Sequence, residues 1–503
     1  MMKKLLLFAI AICLIFSANA QFNGLKNAVK GAAKSEASKA VNEAKEKAKE
    51  DANKPSQNKN NANNSENKSG KKSSSSKGKT FYVSSTTGSN RNEGTSKDAP
   101  VKNIQKALDL AESGDKILVA EGNYYGLLNS GNIVITKPIS IFGGYNTDFS
   151  KRDVLKYRTM VQPTCTSNGS ASGEGTIHIK SVVAPNETVL LDGLIMDRGN
   201  SIAYNPKGEG QPAGVETARM QPIGTAGIGG PDLKEECATT ETALIYLYAD
   251  HGVVNNVNIV IKNCAFINCP NYGLKGMLKG GSLTIDNCIF VNVRMATLDI
   301  RGADKSYVVP ITFQNNTVMF VWTRLKDLGD MGYGYRMIPG TSNTLRNNIF
   351  GCAVFAGIDR THVDSDKNLE AKRTEIVENN IFFLNRYTDL TLPGGGKFLR
   401  VRVQDFDDVE QFAQVAGNKP LNDPSIFEGK INKAYLEGFI NLKSSTETSV
   451  DYNSSANQFR SAFGMNLVGT GNTKASMFAN RYPWEEALNL FGAVSGYGAQ
   501  KIK

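Results

Sequence analysis

Ile259-Val-Ile-Lys-Asn263-Cys-Ala-Phe-Ile267 and Leu283-Thr-Ile-Asp-Asn287-Cys-Ile-Phe-Val291 share one pattern: a short apolar strand, an Asn, and a second apolar strand. Three further copies follow, Ile311-Thr-Phe-Gln-Asn315-Asn-Thr-Val-Met319, Thr344-Leu-Arg-Asn347-Asn-Ile-Phe-Gly351 and Glu375-Ile-Val-Glu-Asn379-Asn-Ile-Phe-Phe383. The Asn residues stand 24, 28, 32 and 32 positions apart, and self-similarity at such periods is the mark of a solenoid. Alternation within each strand turns one set of side chains inward. Asn tolerates the left-handed backbone that a sharp bend needs. Stacked at the ~4.8 Å strand spacing, the Asn amides are expected to hydrogen-bond up one column.

Outside the repeats, composition sets bounds. Met1-Met-Lys-Lys4, an apolar run from Leu5 to Phe16 and Ala18-Asn-Ala20 read as a secretory signal peptide over 1–20. No later stretch carries 18 uninterrupted apolar residues, so no transmembrane segment is expected. The formal charge of +10 is concentrated in the tail, where residues 21–79 hold 14 Lys against 6 acids. Residues 80–503 hold 42 basic and 42 acidic residues. A neutral body makes nucleic acid an unsuitable partner and leaves any attraction to an envelope partner with the basic tail.

Six cysteines follow the signal peptide: Cys165, Cys237, Cys264, Cys269, Cys288 and Cys352. Export permits disulfides. Cys264 and Cys288 each follow a ladder Asn by one position and should stack as buried thiols on adjacent rungs. No Cys or His spacing matches a zinc site.

Along the chain, 21–53 is an Ala/Lys-rich stretch with a weak helical stripe, and 54–79 is an Asn/Ser/Lys linker. Folding is expected to begin at Thr80-Phe-Tyr-Val83. Ile104, Ala107, Leu108 and Ala111 share one helix face, and Gly114 ends that helix, which can cover the open core of a solenoid. The order Tyr82-Val … Gly88-Ser-Asn-Arg-Asn92-Glu-Gly94-Thr, Pro100, the helix, Gly114-Asp-Lys-Ile-Leu-Val119 and Gly122-Asn-Tyr124 closely resembles the N-terminal module of pectate-lyase-like right-handed parallel β-helix proteins of bacteria. Ile139–Tyr145 and Val189–Ile195 resemble further early rungs. The resemblance covers about 80–390 and implies an all-β, single-stranded right-handed parallel β-helix over 80–395, with an N-terminal capping helix. It leaves 396–503 for C-terminal rungs and a mixed cap: a last strand at Phe398–Val403, a short helix at Val409–Val415, and an aromatic-rich tail through Trp484. Because that superfamily includes lyases, hydrolases, epimerases and adhesins, it assigns no reaction.

The repeats also place a set of charges. Twelve positions after the ladder Asn residues lie Lys275, Asp299, Asp327, Asp359 and Thr391; eleven after lie Leu274, Leu298, Lys326, Ile358 and Leu390. Four of the latter five are apolar, so position eleven should point inward and position twelve outward. Asp299, Asp327 and Asp359 would then stand above one another on an exposed strand face. Such a column could serve as catalytic acid and base on a glycosidic bond, as oxygen ligands for Ca²⁺, or as a solvated face neutralised by Lys275 and Arg301.

Two insertions break the period, Asn200–Glu241 and Trp322–Ser342, and long excursions on a solenoid gather on one face and often bind. Lys275, Arg301, Trp322, Tyr333, Tyr335 and Arg336 are therefore the candidate substrate-binding residues. The Asp-Asp and Gly-His-Gly motifs of polygalacturonase-like hydrolases and the Asp-Pro-His-Asp of β-helix epimerases are absent from the repeats. Two readings follow: an exported protein, periplasmic, cell-surface or extracellular, that binds, with or without cleaving, a polysaccharide or cell-surface glycan along its lateral face; or a non-catalytic adhesive or structural envelope protein.

Overall fold

The computed structural model describes residues 78–502 except 125–132, 162–175, 198–242, 270, 323–331, 395–397, 410, 411, 413, 441–452 and 466–481. The signal peptide, the Ala/Lys-rich stretch, nearly all of the linker, Cys165, Cys237, Asp327 and all of Asn200–Glu241 lie outside the described residues.

The repeats fold as the sequence predicts. Each rung has three strands. First strands include Asn255–Lys262, Leu283–Asp286, Val309–Gln314, Thr341–Arg346 and Glu375–Glu378. Second strands include Ala265–Cys269, Ile289–Val293, Thr317–Val321, Ile349–Ala353 and Ile381–Phe383. Third strands include Ala243–Tyr248, Tyr272–Gly280, Ala296–Gly302, Tyr333–Arg336, Ala356–Asp359 and Thr388–Leu392. Each strand pairs in parallel with its counterpart one rung on. The result is a parallel β-helix with three long faces around one core.

The five ladder Asn residues share a left-handed bend, with φ of 53–55°, and lie in one column because Lys262, Asp286, Gln314, Arg346 and Glu378 before them are in register. The amide of Asn287 donates to Asn263 Oδ1 at 2.8 Å and that of Asn347 to Asn315 at 3.3 Å, whereas Asn315 turns to Asp286 Oδ1 at 2.8 Å. A second, buried ladder runs one position on. The backbone N–H of Cys264 donates to Cys288 Sγ (3.4 Å), that of Cys288 to Asn316 Oδ1 (2.8 Å), that of Asn316 to Asn348 (2.9 Å) and that of Asn348 to Asn380 (2.9 Å). These side chains accept the donors that a bend leaves without a strand partner, which is what a buried N–H requires. Cys264 and Cys288 are free, buried thiols in this ladder, as are Cys269 and Cys352 elsewhere in the core.

Inside, Phe266, Phe290, Val318, Phe350 and Phe382 occupy one register position on successive second strands. Phe266 and Phe290 stack at 4.3 Å. Where Val318 is too small to continue the stack, Phe313 from the first strand fills the gap, 5.7 Å from Phe290 and 6.1 Å from Phe350. Burying each such ring contributes about 1.5–3 kcal/mol.

At the N-terminal end, helix Ile104–Leu110 lays Ile104, Ala107 and Leu108 on the core. It stops four residues before Gly114, whose φ of 86° instead turns the chain into strand Lys116–Ala120. At the other end the expected short helix at Val409–Val415 is replaced. Val415 is in register with Val377 and belongs to a last first-face strand, Gln414–Ala416. The helical turn comes earlier, at Val403–Asp408, where Val403 and Phe406 close the core. Beyond it the chain does more than cap. Phe427, Tyr435, Phe439, Phe459, Tyr482 and Leu490 pack on the outer side of the second strands, against Ile267, Val291, Met319 and Ile349. Backbone N–H groups of Tyr482, Ala499 and Gln500 bind Asn268, Thr317 and Asn287. This cladding explains why second strands such as Ile289–Val293 are buried on both sides.

Candidate functional site

On the third face, outward side chains form two columns. One runs His178, Tyr246, Lys275, Asp299, with each pair in register on adjacent strands. The other holds Lys180 beside Tyr248, and Met277 beside Arg301; Tyr248 and Met277 lie one position past the Leu247–Gly276 pair. The Tyr246 and Tyr248 rings are 5.7 Å apart, each 6.4 Å from His178. Met277 is 38% exposed, and Lys180 pairs with Asp250 at 3.0 Å.

The carboxylate column is corrected in two ways. Asp299 and Asp359 do share a register column, but the residue between them is Arg336, not a third aspartate. Ala296 pairs with Tyr333, so Asp299 meets Arg336, and Arg336 pairs with Asp359. The rung carries nine residues more than the twelve-residue spacing assumed, so the inward position beside Ile358 belongs to Tyr335 and the outward one beside Asp359 to Arg336. Nor is the column exposed: Asp299 is 5% and Asp359 0% accessible. Arg336 bridges them, with Nη1 to Asp299 Oδ2 and Nε to Asp359 Oδ2, both at 3.3 Å. Arg301 reaches Asp299 at 3.4 Å, with its side chain 62% exposed.

Asp359 is enclosed by donors. Thr361 Oγ1 and N donate to Oδ1 at 2.6 and 3.1 Å, and Thr391 Oγ1 at 2.8 Å. His362 Nδ1 faces Oδ2 at 3.4 Å. Arg336 Nη2 lies 3.1 Å from His362 Nε2; since a guanidinium only donates, Nε2 accepts and the ring proton sits on Nδ1, toward Asp359. Burial alone would raise the Asp359 carboxyl, but His362, Arg336 and Thr361 outweigh it and bring it down to about 2. A carboxylate held ionised in this way is a counter-ion, not a proton donor at neutral pH. The calcium expectation loses its middle ligand to a cation, and among the described residues no group of three or more His, Cys, Asp or Glu is arranged to hold a metal.

A second ion-pair cluster adjoins it. Arg360 pairs with Glu370, and with Glu375 at 3.1 Å; Arg373 meets Glu370 at 3.0 Å and Glu375 at 2.9 Å. Burial dominates at Glu375 and raises its carboxyl despite both arginines. Through Asn343, which donates to Glu375 at 2.8 Å and accepts from Tyr335 OH at 2.8 Å, the cluster ties to the core.

Four of the expected substrate contacts are therefore interior groups. Tyr335 is fully buried. Trp322 is 0% accessible, its Nε1 on Asn292 Oδ1 at 2.8 Å and its ring beneath Tyr435 and Phe439 of the C-terminal cladding. Tyr333 packs on Phe355 at 5.2 Å, and Arg336 is the ion-pair bridge. Lys275 and Arg301 remain on the face, Lys275 with its Nζ 5.4 Å from the Tyr272 ring. Sequence reasoning missed His362, Tyr246 and Tyr248. The signal for Arg336 was present: Tyr333-Gly-Tyr-Arg336 matches Ala356-Gly-Ile-Asp359 position by position.

Where the third strands end, Arg301–Lys305, Ile338–Gly340 and Asp364–Leu369 border a groove of about 710 Å³. Its floor is a close backbone approach, because a Cβ on Gly302 would strike Gly340 O. Three cations, Arg301, Lys305 and Lys367, line it beside three carboxylates, Asp304, Asp364 and Asp366. Among the described residues no helix is long and apolar enough to cross a membrane.

No protein-family profile matches this chain, and no curated protein does. Among solved structures it is similar to the pectate lyase Pel9A, with 12% identity, 64% of this chain and 74% of that one covered, and a TM-score of 0.29. It is also similar to a rhamnogalacturonan lyase, at 13% identity, 64% and 86% coverage and a TM-score of 0.31. A third likeness is to the GH136 lacto-N-biosidase of Eubacterium ramulus, at 10% identity, 68% and 67% coverage and a TM-score of 0.28. These are likenesses of chain path, and they assign neither a substrate nor a reaction.

Proposed function

We propose that this is an exported glycan-binding β-helix protein, with the polysaccharide lying along the third face toward the groove at Arg301. One observation supports it above others: Tyr246, Tyr248 and Met277 stand with Lys180, Lys275 and Arg301 in two outward columns, one rung apart. Rings and long aliphatic stems offer apolar contact to sugar faces while charged and polar tips bind hydroxyls. Of the two readings from sequence we take the first, the polysaccharide binder, and within it binding without cleavage fits better, because Asp299 and Asp359 are engaged by Arg336 and Asp359 is held ionised. The basic tail over 21–79 is the segment suited to an anionic envelope partner.

The test is affinity electrophoresis of the purified protein in gels containing individual polysaccharides, run beside assays for new reducing ends and for unsaturated products. Retardation by at least one polymer without product supports a binding protein. Product formation that Asp359→Asn removes would return catalysis to the column. Retardation by none of a broad panel would sink the proposal.

A further inference from the structure

We infer that the third face takes an uncharged polysaccharide, recognised by aromatic stacking and hydrogen bonding rather than by charge. This rests on the glycan-binding reading above and narrows it to one substrate class. It also departs from the reading of the column as a set of Ca²⁺ ligands.

An acidic polymer presents carboxylates that must each meet a cation or a bound metal ion on leaving water. Five of the cations of this face are already committed to carboxylates, and Lys275 has its Nζ 5.4 Å from the Tyr272 ring. Lys180 is held by Asp250 at 3.0 Å, Arg301 by Asp299 at 3.4 Å, and Arg336 by Asp299 and Asp359, both at 3.3 Å. Arg360 and Arg373 are shared between Glu370 and Glu375. In the groove, three cations are matched by three carboxylates. A uronate reaching Arg301 would compete with Asp299, which is nearly buried and would lose a partner. Among the described residues no metal-binding group stands ready to bridge carboxylate to carboxylate.

Aromatic and thioether surface is what the face has to offer. Tyr246 and Tyr248 lie 5.7 Å apart on one strand, and Met277 follows on the next. A neutral sugar ring can stack its C–H face beside these rings, where Lys180 Nζ lies 5.7 Å from the Tyr248 ring centre, and its hydroxyls can share the outer edges of Lys275 and Arg301. Because no net charge is exchanged, binding should be nearly indifferent to salt.

Calorimetric titration of the full mature chain decides this. The uncharged probes are a soluble β-glucan, an arabinoxylan and a galactomannan; the acidic probes are polygalacturonate and alginate, all at about 0.05 M and about 0.5 M NaCl. The expected result is that an uncharged polymer binds, its affinity changing less than about twofold between the two salts. Tyr248→Ala should weaken that binding about tenfold or more while leaving the melting temperature unchanged. A polyuronate bound more tightly than every uncharged probe, and released by salt, overturns the inference while leaving glycan binding intact. Salt-insensitive binding untouched by Tyr248→Ala overturns the assignment to this face. Absence of binding to all five polymers overturns the glycan reading, and this inference with it.

Discussion

Replacing Arg336 with Met keeps much of the side chain's length and apolar stem while removing the cation that bridges Asp299 and Asp359. Both carboxylates are nearly or fully buried, and Arg336 contacts each at 3.3 Å. Removing one partner from a buried ionic cluster leaves charge uncompensated and costs about 3–5 kcal/mol. Here Arg301, Thr361, Thr391 and His362 still serve the aspartates, so the lower end, about 3 kcal/mol, is expected.

The pH dependence carries the diagnosis. In the wild type the Asp359 carboxyl lies at about 2, below its ordinary value. A lowered folded value means that the stabilisation is fully present above the unfolded value near pH 4 and is lost as pH falls toward 2. The amount is about 2 kcal/mol. Without Arg336, burial gains ground and the folded carboxyl titrates higher. The variant therefore loses less on acidification, and the gap from wild type should be widest at pH 6–7 and narrow below pH 4. Urea unfolding followed by tryptophan fluorescence at several pH values measures both quantities. A cost below about 1 kcal/mol at pH 7, or a gap that stays constant into acid, would refute the account of Asp359 as a counter-ion. Combining Arg336→Met with Asp299→Asn and Asp359→Asn should recover part of the loss, since no charge is then left unpaired.

Asn348→Ala should cost about 3 kcal/mol in thermal or urea unfolding, because it strands the backbone N–H of Asn316 and the carbonyl of Phe313 at a fully buried bend. Trp322→Phe should lower stability by about 1–2 kcal/mol through the orphaned Asn292 acceptor and leave glycan affinity unchanged, in contrast to the role expected of Trp322 from sequence. Ending the chain at Leu421 uncovers Ile267, Val291, Met319 and Ile349, so the product should bind a hydrophobic dye and self-associate; a monomeric, dye-silent product would mean that the cladding is dispensable. Added calcium should leave the wild-type melting temperature where it is, since a cation occupies the middle of the carboxylate column.

The repeat made the fold legible because its information is local. An Asn at a left-handed bend between two alternating apolar strands specifies the turn, the inward face and the stacking at once. The same pattern placed Cys264 beside Cys288, and the apolar face of Ile104, Ala107 and Leu108 placed the capping helix over the open core. Asp299 and Asp359 were put in the right column for the same reason. What lay between them was not legible by counting, because a nine-residue excursion shifted the rung and only strand pairing restores the register at Tyr333–Arg336. Exposure was beyond the sequence for a different reason. Whether an outward side chain meets water depends on what chain segment returns to cover it. Residues over a hundred positions away bury Trp322, and a loop carrying Thr361 and His362 encloses Asp359. Periodicity fixes which way a side chain points along a strand; tertiary packing and the pairing of charges across rungs decide whether it ends as a ligand contact or as part of the frame.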